Sequence, residues 1–315
     1  MEVSIIIVNW NSKGYVRKCL TSVFKHIARI RFEVIVVDGA SFDGCDQMLA
    51  TEFPSVIFIQ SATNIGFARA NNLGARHATG RVLLFLNPDT ELIEDSIQIL
   101  LQRLDSLPRA GAVGCRLLNR DLTLQTSCVQ SFPTVLNQML DSEYLRERFP
   151  DSALWGIAPL HRNSSEPSEV EVISGACILM HRDCFERVGG FTESYFMYGE
   201  DLDLCFKLRR SGRSVFYVPE TRVVHFGGAS TTQAPSNFSN VMMRGSVFHF
   251  MRLNRGPLSA LAYRVSMMST ALARLLLMGP MMLLGRRVVR HGTSSWRKWA
   301  AILRWSLGAT RTDSH

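Results

Sequence analysis

Three things are missing from this 315-residue sequence: a C-x-x-C pair, a G-x-G-x-x-G after the first strand-like run, and a membrane-length apolar stretch free of charge. Each absence removes a class. The seven cysteines, at 19, 45, 115, 128, 177, 184 and 205, are odd in number and scattered. They indicate neither a disulfide framework nor a zinc site, and the expected compartment is a reducing one. Without the glycines that let a backbone approach a pyrophosphate, a nicotinamide-binding reading is disfavoured. The sequence begins with the strand-like Val3-Ser-Ile-Ile-Ile-Val8 and shows neither a basic n-region nor a small-residue cleavage site, which argues against secretion. Acid is also nearly missing from the end: Met251 to His315 holds eleven Lys or Arg against the single Asp313. The formal net charge of +8 is therefore a tail at +10 and a remainder at −2. The basicity belongs to the tail, and nucleic acid is not expected as a partner of the main domain.

What is present is enough apolar residue, 46%, for a sizeable core. Strand and helix patterns alternate up to about Leu118. Strands are expected at Ser4–Asn9, Phe32–Asp38, Val56–Gln60 and Arg81–Asn87, with helices near Asp43–Glu52, Gly66–Thr79 and Glu94–Leu107. Between the first two strands, Val16, Cys19, Leu20, Val23, Phe24 and Ile27 step at helical spacing as a core-facing stripe. The pattern is that of a doubly wound α/β fold with a mostly parallel sheet. Residues 119–169 carry Pro133, Pro150, Pro159, Pro167 and Asn163-Ser-Ser165, so irregular loops are expected there and no chemistry is assigned. Strand patterns return at Val170–Met180 and Val215–Val218. We place a main α/β domain at residues 1–245 and a basic helical extension at 246–315.

Chemistry gathers where strand patterns stop. Arg81-Val-Leu-Leu-Phe-Leu-Asn-Pro-Asp-Thr90 is an apolar run cut off by Pro88, leaving Asn87 and Asp89 at the carboxyl end of a central strand, where ligands of open α/β sheets sit. Asp89 is either a turn residue or one of the few carboxylates a phosphate-bridging divalent cation needs. Asp38 ends the second strand, as a turn or cap acid or as an acceptor for the imide N–H of a pyrimidine. Asn64-Ile-Gly-Phe-Ala-Arg-Ala-Asn-Asn-Leu-Gly74 opens a helix whose Gly66 and Gly74 serve packing or a ligand, with Arg69 or Asn71 at nucleotide height. Glu200 and Asp201 stand at a helix N-terminus, where acids also act as plain caps. His225 is a satisfied structural histidine or a metal ligand. Gly175-Ala176, in a strand pattern, admits either a ligand or close packing.

The order Val8-Asn-Trp-Asn11, Val36-Val-Asp-Gly-Ala-Ser-Phe-Asp-Gly44, Asn64-Ile-Gly-Phe67 and Leu86-Asn-Pro-Asp-Thr90 resembles the family 2 glycosyltransferases. Within them it is similar to the rhamnosyltransferase-like proteins of bacterial polysaccharide assembly. Gly189-Gly-Phe-Thr-Glu-Ser-Tyr-Phe-Met-Tyr-Gly-Glu-Asp-Leu-Asp203 and Val218-Pro-Glu with His225-Phe-Gly-Gly-Ala-Ser230 extend the resemblance over roughly residues 3 to 230. It implies a GT-A fold and inverting transfer from a nucleotide-sugar. Asp201 is then the general base and Glu200 orients the acceptor. Asn9, Asp38, Asn64, Gly66, Arg69, Asn71, Asn87 and Asp89 face the nucleotide-sugar, and Asp89 and His225 hold Mn²⁺ or Mg²⁺. Two positions depart from the family pattern, Gly39 for an Asn after the second-strand acid and Asn87 for the first acid of a D-x-D pair.

The resulting expectation is an inverting transferase moving a sugar, L-rhamnose from dTDP-rhamnose, onto a lipid-linked saccharide at the cytoplasmic face of the cell membrane. A UDP-hexose or UDP-galactofuranose donor is the alternative in the same class, and a catalytically silent nucleotide-sugar-binding scaffold the alternative outside it. Leu258 to Leu284 is apolar and Met-rich, but Arg264 and Arg274 interrupt it and Gly279-Pro280 is expected to break it. With Arg286-Arg-Val-Val-Arg290 and Trp296-Arg-Lys-Trp-Ala-Ala-Ile-Leu-Arg-Trp305 it reads as an in-plane amphipathic element on an anionic leaflet, or as helices packed on the catalytic domain or on another subunit of an oligomer.

Overall fold

A strand apolar on both faces has to be covered on both faces, and that demand organises the first hundred residues. The computed structural model describes residues 1–162, 164–227, 238–283 and 286–309. In it β1 (Val3–Asn9), β2 (Phe32–Asp38), β3 (Ile57–Gln60) and β4 (Val82–Leu86) run parallel in the order β3-β2-β1-β4. The crossovers carry α1 (Lys13–His26), α2 (Cys45–Glu52) and α3 (Phe67–His77). Every residue of β4 is buried. α1 buries Val16, Cys19, Leu20 and Val23 as its spacing requires. Phe24 does not follow them; it is 40% exposed and lies against the rings of Phe32 and Phe53.

Beyond β4 the sheet becomes mixed. After β5 (Thr90–Leu92), α4 (Ser96–Ser106) and β6 (Ala110–Leu118) come β7 (Val129–Gln130) and three short helices, α5 (Val135–Leu140), α6 (Glu143–Arg148) and α7 (Ala158–His161). The single strand pattern of Val170–Met180 resolves into β8 (Ser168–Val170), β9 (Val172–Ile173) and β10 (Cys177–His181), because Ser174-Gly175-Ala176 leaves the ladder. β10 lies antiparallel between β4 and β6. After α8 (Arg182–Arg187) and α9 (Glu200–Arg210), β11 (Ser214–His225) runs parallel to β6 and antiparallel to β5 and β8. It is longer than the pattern Val215–Val218 suggests: its register shifts between Val218 and Arg222, and Pro219, which has no N–H to donate, sits in that irregularity. All seven cysteines are buried as free thiols.

The chain forms two compact units. One comprises Met1–Phe132, Pro150–Phe196 and Glu200–Thr232; the other comprises Pro133–Phe149, Met197–Gly199 and the described part of Gln233–His315. The second unit thus takes α5 and α6 in addition to the tail. Its helices are α10 (Phe238–Arg255), α11 (Pro257–Leu283) and α12 (Arg286–Ser306). Gly256 and Pro257 separate the first two, a proline being well suited to a helix's first position. Met251, Tyr263, Met267, Leu275, Trp299, Ile302 and Trp305 form the core of this unit. One expectation for the tail is corrected. α11 continues through Gly279 and Pro280 to Leu283 instead of breaking there. Arg264 and Arg274, which interrupt the apolar run, both lie against aromatic rings. The Arg264 guanidinium lies over Phe248 and Trp305 and donates to the carbonyls of Ser306 and Trp305 at the end of α12. That of Arg274 lies 4.3 Å from the Trp299 centroid. Asn163, Gly228 to Ser230 of the His225 motif, and the side chains of the basic run Arg286–Arg290 lie outside the described residues.

Candidate active site

The carboxyl ends of β2, β1 and β4 lie side by side, and each carries a polar residue that the sequence singles out. Asn9 and Asp38 are partners in the β1–β2 register. The Asp38 carboxylate, 1% exposed, accepts from Asn9 Nδ2 at 2.5 Å, from the Ser41 N–H at 2.8 Å and from Gln60 Nε2 at 2.8 Å. Asn9 Oδ1 in turn accepts from the N–H and the hydroxyl of Ser12 at the start of α1. Three donors satisfy most of the lone-pair capacity of a carboxylate and fix its plane, leaving room for about one further donor.

At the end of β4, Asn87-Pro-Asp-Thr90 closes as a turn: the Thr90 N–H and hydroxyl both donate to the Asn87 carbonyl, at 3.3 and 2.7 Å. Thr90 opens β5, and the β5–β11 pairing sets His225 opposite it. That register brings the His225 Nε2 to 3.4 Å from Asp89 Oδ1 and 3.4 Å from Asn87 Nδ2. Gln125 orients the ring, its Nε2 donating to the His225 carbonyl at 2.7 Å and its Oε1 lying 2.9 Å from Nδ1. With Gln125 Nε2 committed as donor, Nδ1 carries the hydrogen and the Nε2 lone pair points at the Asp89 carboxylate. Asn87 Nδ2 can donate to that lone pair here, and a metal ion placed between the imidazole and the carboxylate would take its place. Asn87 Oδ1 is buried beside them without a partner. Among the described residues no group of three or more His, Cys, Asp or Glu forms a metal cage. A carboxylate and an imidazole nevertheless fit a divalent cation that draws its other ligands from phosphate and water, and an outer-sphere residue such as Gln125 is what holds a ligating histidine in one tautomer.

The acids at the start of α9 form the third element. Asp201 keeps partial exposure, its Oδ2 accepting the Gly175 N–H and its Oδ1 the Leu202 N–H, both at 2.8 Å. A Cβ on Gly175 would lie 3.2 Å from that carboxylate, so the bare backbone is what lets the acid approach. Burial raises the Asp201 carboxyl above its ordinary value, against the two N–H groups that hold it down. Glu200 is buried more deeply, with Oε2 unpartnered, and burial together with the neighbouring Asp201 charge pushes it up to about 8. At neutral pH Glu200 therefore stays mostly protonated, and of the pair Asp201 is the acid that ionises first. Asp203 belongs to a different set, accepting from the Thr192 hydroxyl at 2.5 Å and pairing with Lys207 one turn on.

These elements are connected. Asp201 is bonded to Gly175, the next residue's carbonyl, on Ala176, accepts the Asn87 N–H at 3.0 Å, and Asn87 meets His225 beside Asp89. A general-base candidate and a metal-binding candidate thus share one end of one sheet. The model of glycosyl transferase family 2 matches residues 4–189. The chain belongs to glycosyl transferase family 2. An N-acetylglucosaminyl-diphospho-decaprenol L-rhamnosyltransferase of Mycobacterium tuberculosis is 32% identical over 217 residues, which are 65% of this chain and 69% of that protein. The rhamnosyltransferase WbbL of Escherichia coli is 26% identical over 234 residues, 71% of this chain and 83% of that protein. The mannosyltransferase PcManGT of Pyrobaculum calidifontis, solved with GDP-Man and Mn²⁺, superposes with a TM-score of 0.59 over 98% of this chain and 88% of its own. At 18% identity that likeness shows the fold, a GT-A-like α/β architecture.

In this family 2 chain the remaining singled-out residues sit around α3. Asn64 Oδ1 accepts the Gly66 N–H. Gly66 has φ +81°, and a Cβ there would press 2.7 Å from the Phe196 carbonyl, so the glycine is required by conformation and by space. Asn71 is buried and spends its amide on the Phe67 carbonyl of its own helix, while Arg69 lies exposed with Glu193 Oε2 at 3.7 Å. Neither side chain is drawn into the Asp89–His225 group. Sequence reasoning missed Gln125, which lies in the stretch to which it assigned no chemistry. It also missed Asn72, which clamps Phe191 by accepting from its N–H and donating to its carbonyl. A glutamine in an irregular loop carries no local signal; only the β5–β11 register shows which ring it holds.

Proposed function

We propose that the chain is an inverting glycosyltransferase that moves L-rhamnose from dTDP-rhamnose onto a saccharide carried on a polyprenyl diphosphate, in the assembly of a bacterial surface polysaccharide. The observation that carries this reading is the hydrogen-bonded path from Asp201 through Gly175, Ala176 and Asn87 to His225 and Asp89, which sets a base and a cation-binding pair at one strand end. The names of the mycobacterial and Escherichia coli relatives support the donor and acceptor classes.

Asp201, in its carboxylate form, takes the proton of the acceptor hydroxyl as that oxygen forms its bond to the anomeric carbon. The bond from that carbon to the nucleoside diphosphate breaks, the electron pair leaves with the diphosphate, and the configuration inverts. Gly175 holds the Asp201 carboxylate toward the acceptor. Glu200, kept protonated by burial, is available as a donor that orients the acceptor and adds no second negative charge beside the base. Asp38 meets the pyrimidine with its remaining acceptor capacity, Asn9 and Gln60 keeping its plane fixed. Asp89 and His225, with Asn87 Oδ1 alongside, would hold a divalent cation, which when bound supplies positive charge to the departing diphosphate.

The test is a panel of nucleotide-sugars assayed by thermal shift with Mn²⁺ and with EDTA, followed by transfer to a lipid-linked acceptor. dTDP-rhamnose should raise the melting temperature most, and only with the metal, since a ligand of the native state stabilises it. A larger shift with a UDP-hexose would reassign the donor. A shift without transfer would leave a silent nucleotide-sugar-binding scaffold, and no shift with any nucleotide-sugar would remove the transfer reading.

A further inference from the structure

The second compact unit is unusual in charge and in surface. Between Glu220 and Asp313 the sequence contains no Asp or Glu. Within that stretch Leu258, Leu261, Val265, Leu272 and Leu276 recur at steps of three, four and seven residues along α11, which places them on one face. All are solvent-exposed, Leu258 at 80% and Leu276 at 68%. The one polar residue in the stripe, Ser269, turns its hydroxyl back onto the Val265 carbonyl. The stripe is about 27 Å long at 1.5 Å per residue. The opposite face of α11 carries Tyr263, Met267 and Leu275 into the helical core, and Arg264 and Arg274 are drawn away from the stripe onto Trp305 and Trp299. α5 packs on α11 within the same unit and leaves Leu136 54% exposed, and α6 and its end expose Tyr144 and Phe149.

We propose that this face of α11 docks the protein on an anionic phospholipid bilayer, lying in the plane of the membrane with its leucines at the headgroup–acyl boundary. A soluble surface rarely carries so long an apolar stripe without an occupant. Charge complementarity selects the occupant: exposed Arg252 and Arg255 precede the stripe, exposed Arg297 and Arg304 lie on α12, and α10, α11 and α12 contain no Asp or Glu to oppose an anionic surface. Composition alone would allow Pro257–Met278 to cross a bilayer. The pairing disfavours crossing, because Arg264, Arg274, Arg297 and Lys298 would enter the hydrocarbon with it. The inference stands on the second unit alone and is independent of the transfer reading.

The test uses the full chain and sedimentation with vesicles of three parts phosphatidylethanolamine to one part phosphatidylglycerol, beside vesicles of phosphatidylcholine only. Binding should favour the anionic vesicles, weaken as salt rises, and be reversed by an alkaline carbonate wash. The triple variant Leu261→Gln, Val265→Gln, Leu272→Gln alters only exposed positions and should lose about tenfold or more in vesicle partition. Its melting temperature and nucleotide-sugar response should match the parent. Equal partition of parent and variant would overturn the proposal, as would resistance of the parent to carbonate, which marks a crossing helix. It would equally fall if light scattering showed a parent dimer that the variant dissolves, because the stripe would then be covered by a second copy. A parent that binds vesicles but no nucleotide-sugar removes the transfer reading and leaves this one in place.

Discussion

The two compact units handle charge in opposite ways. In the first, three carboxylates at strand and helix ends are met by polar groups: Asp38 by three donors, Asp201 by two N–H groups, Asp89 beside an imidazole. In the tail helices of the second, carboxylates are absent and cations are laid on aromatic rings or left at the surface. A buried acid is costly unless something polar meets it, so the first unit concentrates its polar contacts where chemistry is needed. A guanidinium over indole needs no acid, so the second unit can stay cationic and still form a core. The contrast teaches that the proposed base and cation-binding pair and the proposed membrane-facing cations belong to separate compact units and can be altered separately.

The sharpest way to break that separation is at the base. Asp201→Asn should reduce transfer by about three orders of magnitude while nucleotide-sugar affinity, read by thermal shift, stays within a few fold. Vesicle binding should not change at all. Next in size is a pair of leucines that differ only in where they stand. Leu84→Ala in β4 should cost about 2–5 kcal/mol in chemical denaturation, whereas Leu272→Ala on the exposed face of α11 should stay within about 0.5 kcal/mol. A smaller effect is expected from Gln125→Ala. Losing the partner of Nδ1 frees the His225 tautomer and should weaken Mn²⁺ binding by roughly 10- to 100-fold, while the fold and the affinity for metal-free nucleotide are retained.

The smallest effect is on pH dependence. Glu200 rises from its ordinary 4.5 to about 8 on folding, so between those values the unfolded chain ionises the acid and the folded chain keeps it neutral. Its contribution to stability is complete below about pH 4.5 and is lost as pH rises through about 8. Glu200→Gln should therefore flatten the stability profile over that range and raise the melting temperature at pH 9 by roughly 5 °C relative to the parent. Equal profiles for parent and variant would show that Glu200 is not held neutral by its site.

Much of the first unit was legible because its signals are local. β2 begins and ends where its apolar run does, at Phe32 and Asp38, and β4 falls within one residue of the expected limits at each end. Asp89 and His225 were named from motif order, and the fold brings them together by pairing β5 with β11. What escaped depends on the partner segment. Gly175 was ambiguous between ligand and packing until Asp201 appeared against its N–H. Val170–Met180 read as one strand because its composition does not record that residues 174–176 must leave the ladder to meet that acid. Arg264 and Arg274 were counted as interruptions because a linear reading sees charge but not the indole rings that receive it.

The burial of all seven thiols makes the native chain almost silent to maleimide reagents under folding conditions. One cysteine added at an exposed position, such as Leu258 or Leu277, would then be the main site to take a fluorophore, with no need to strip the others. Emission from a dye at each position, with and without lipid, would give the immersion depth of that part of the helix from a chain whose interior has been left intact.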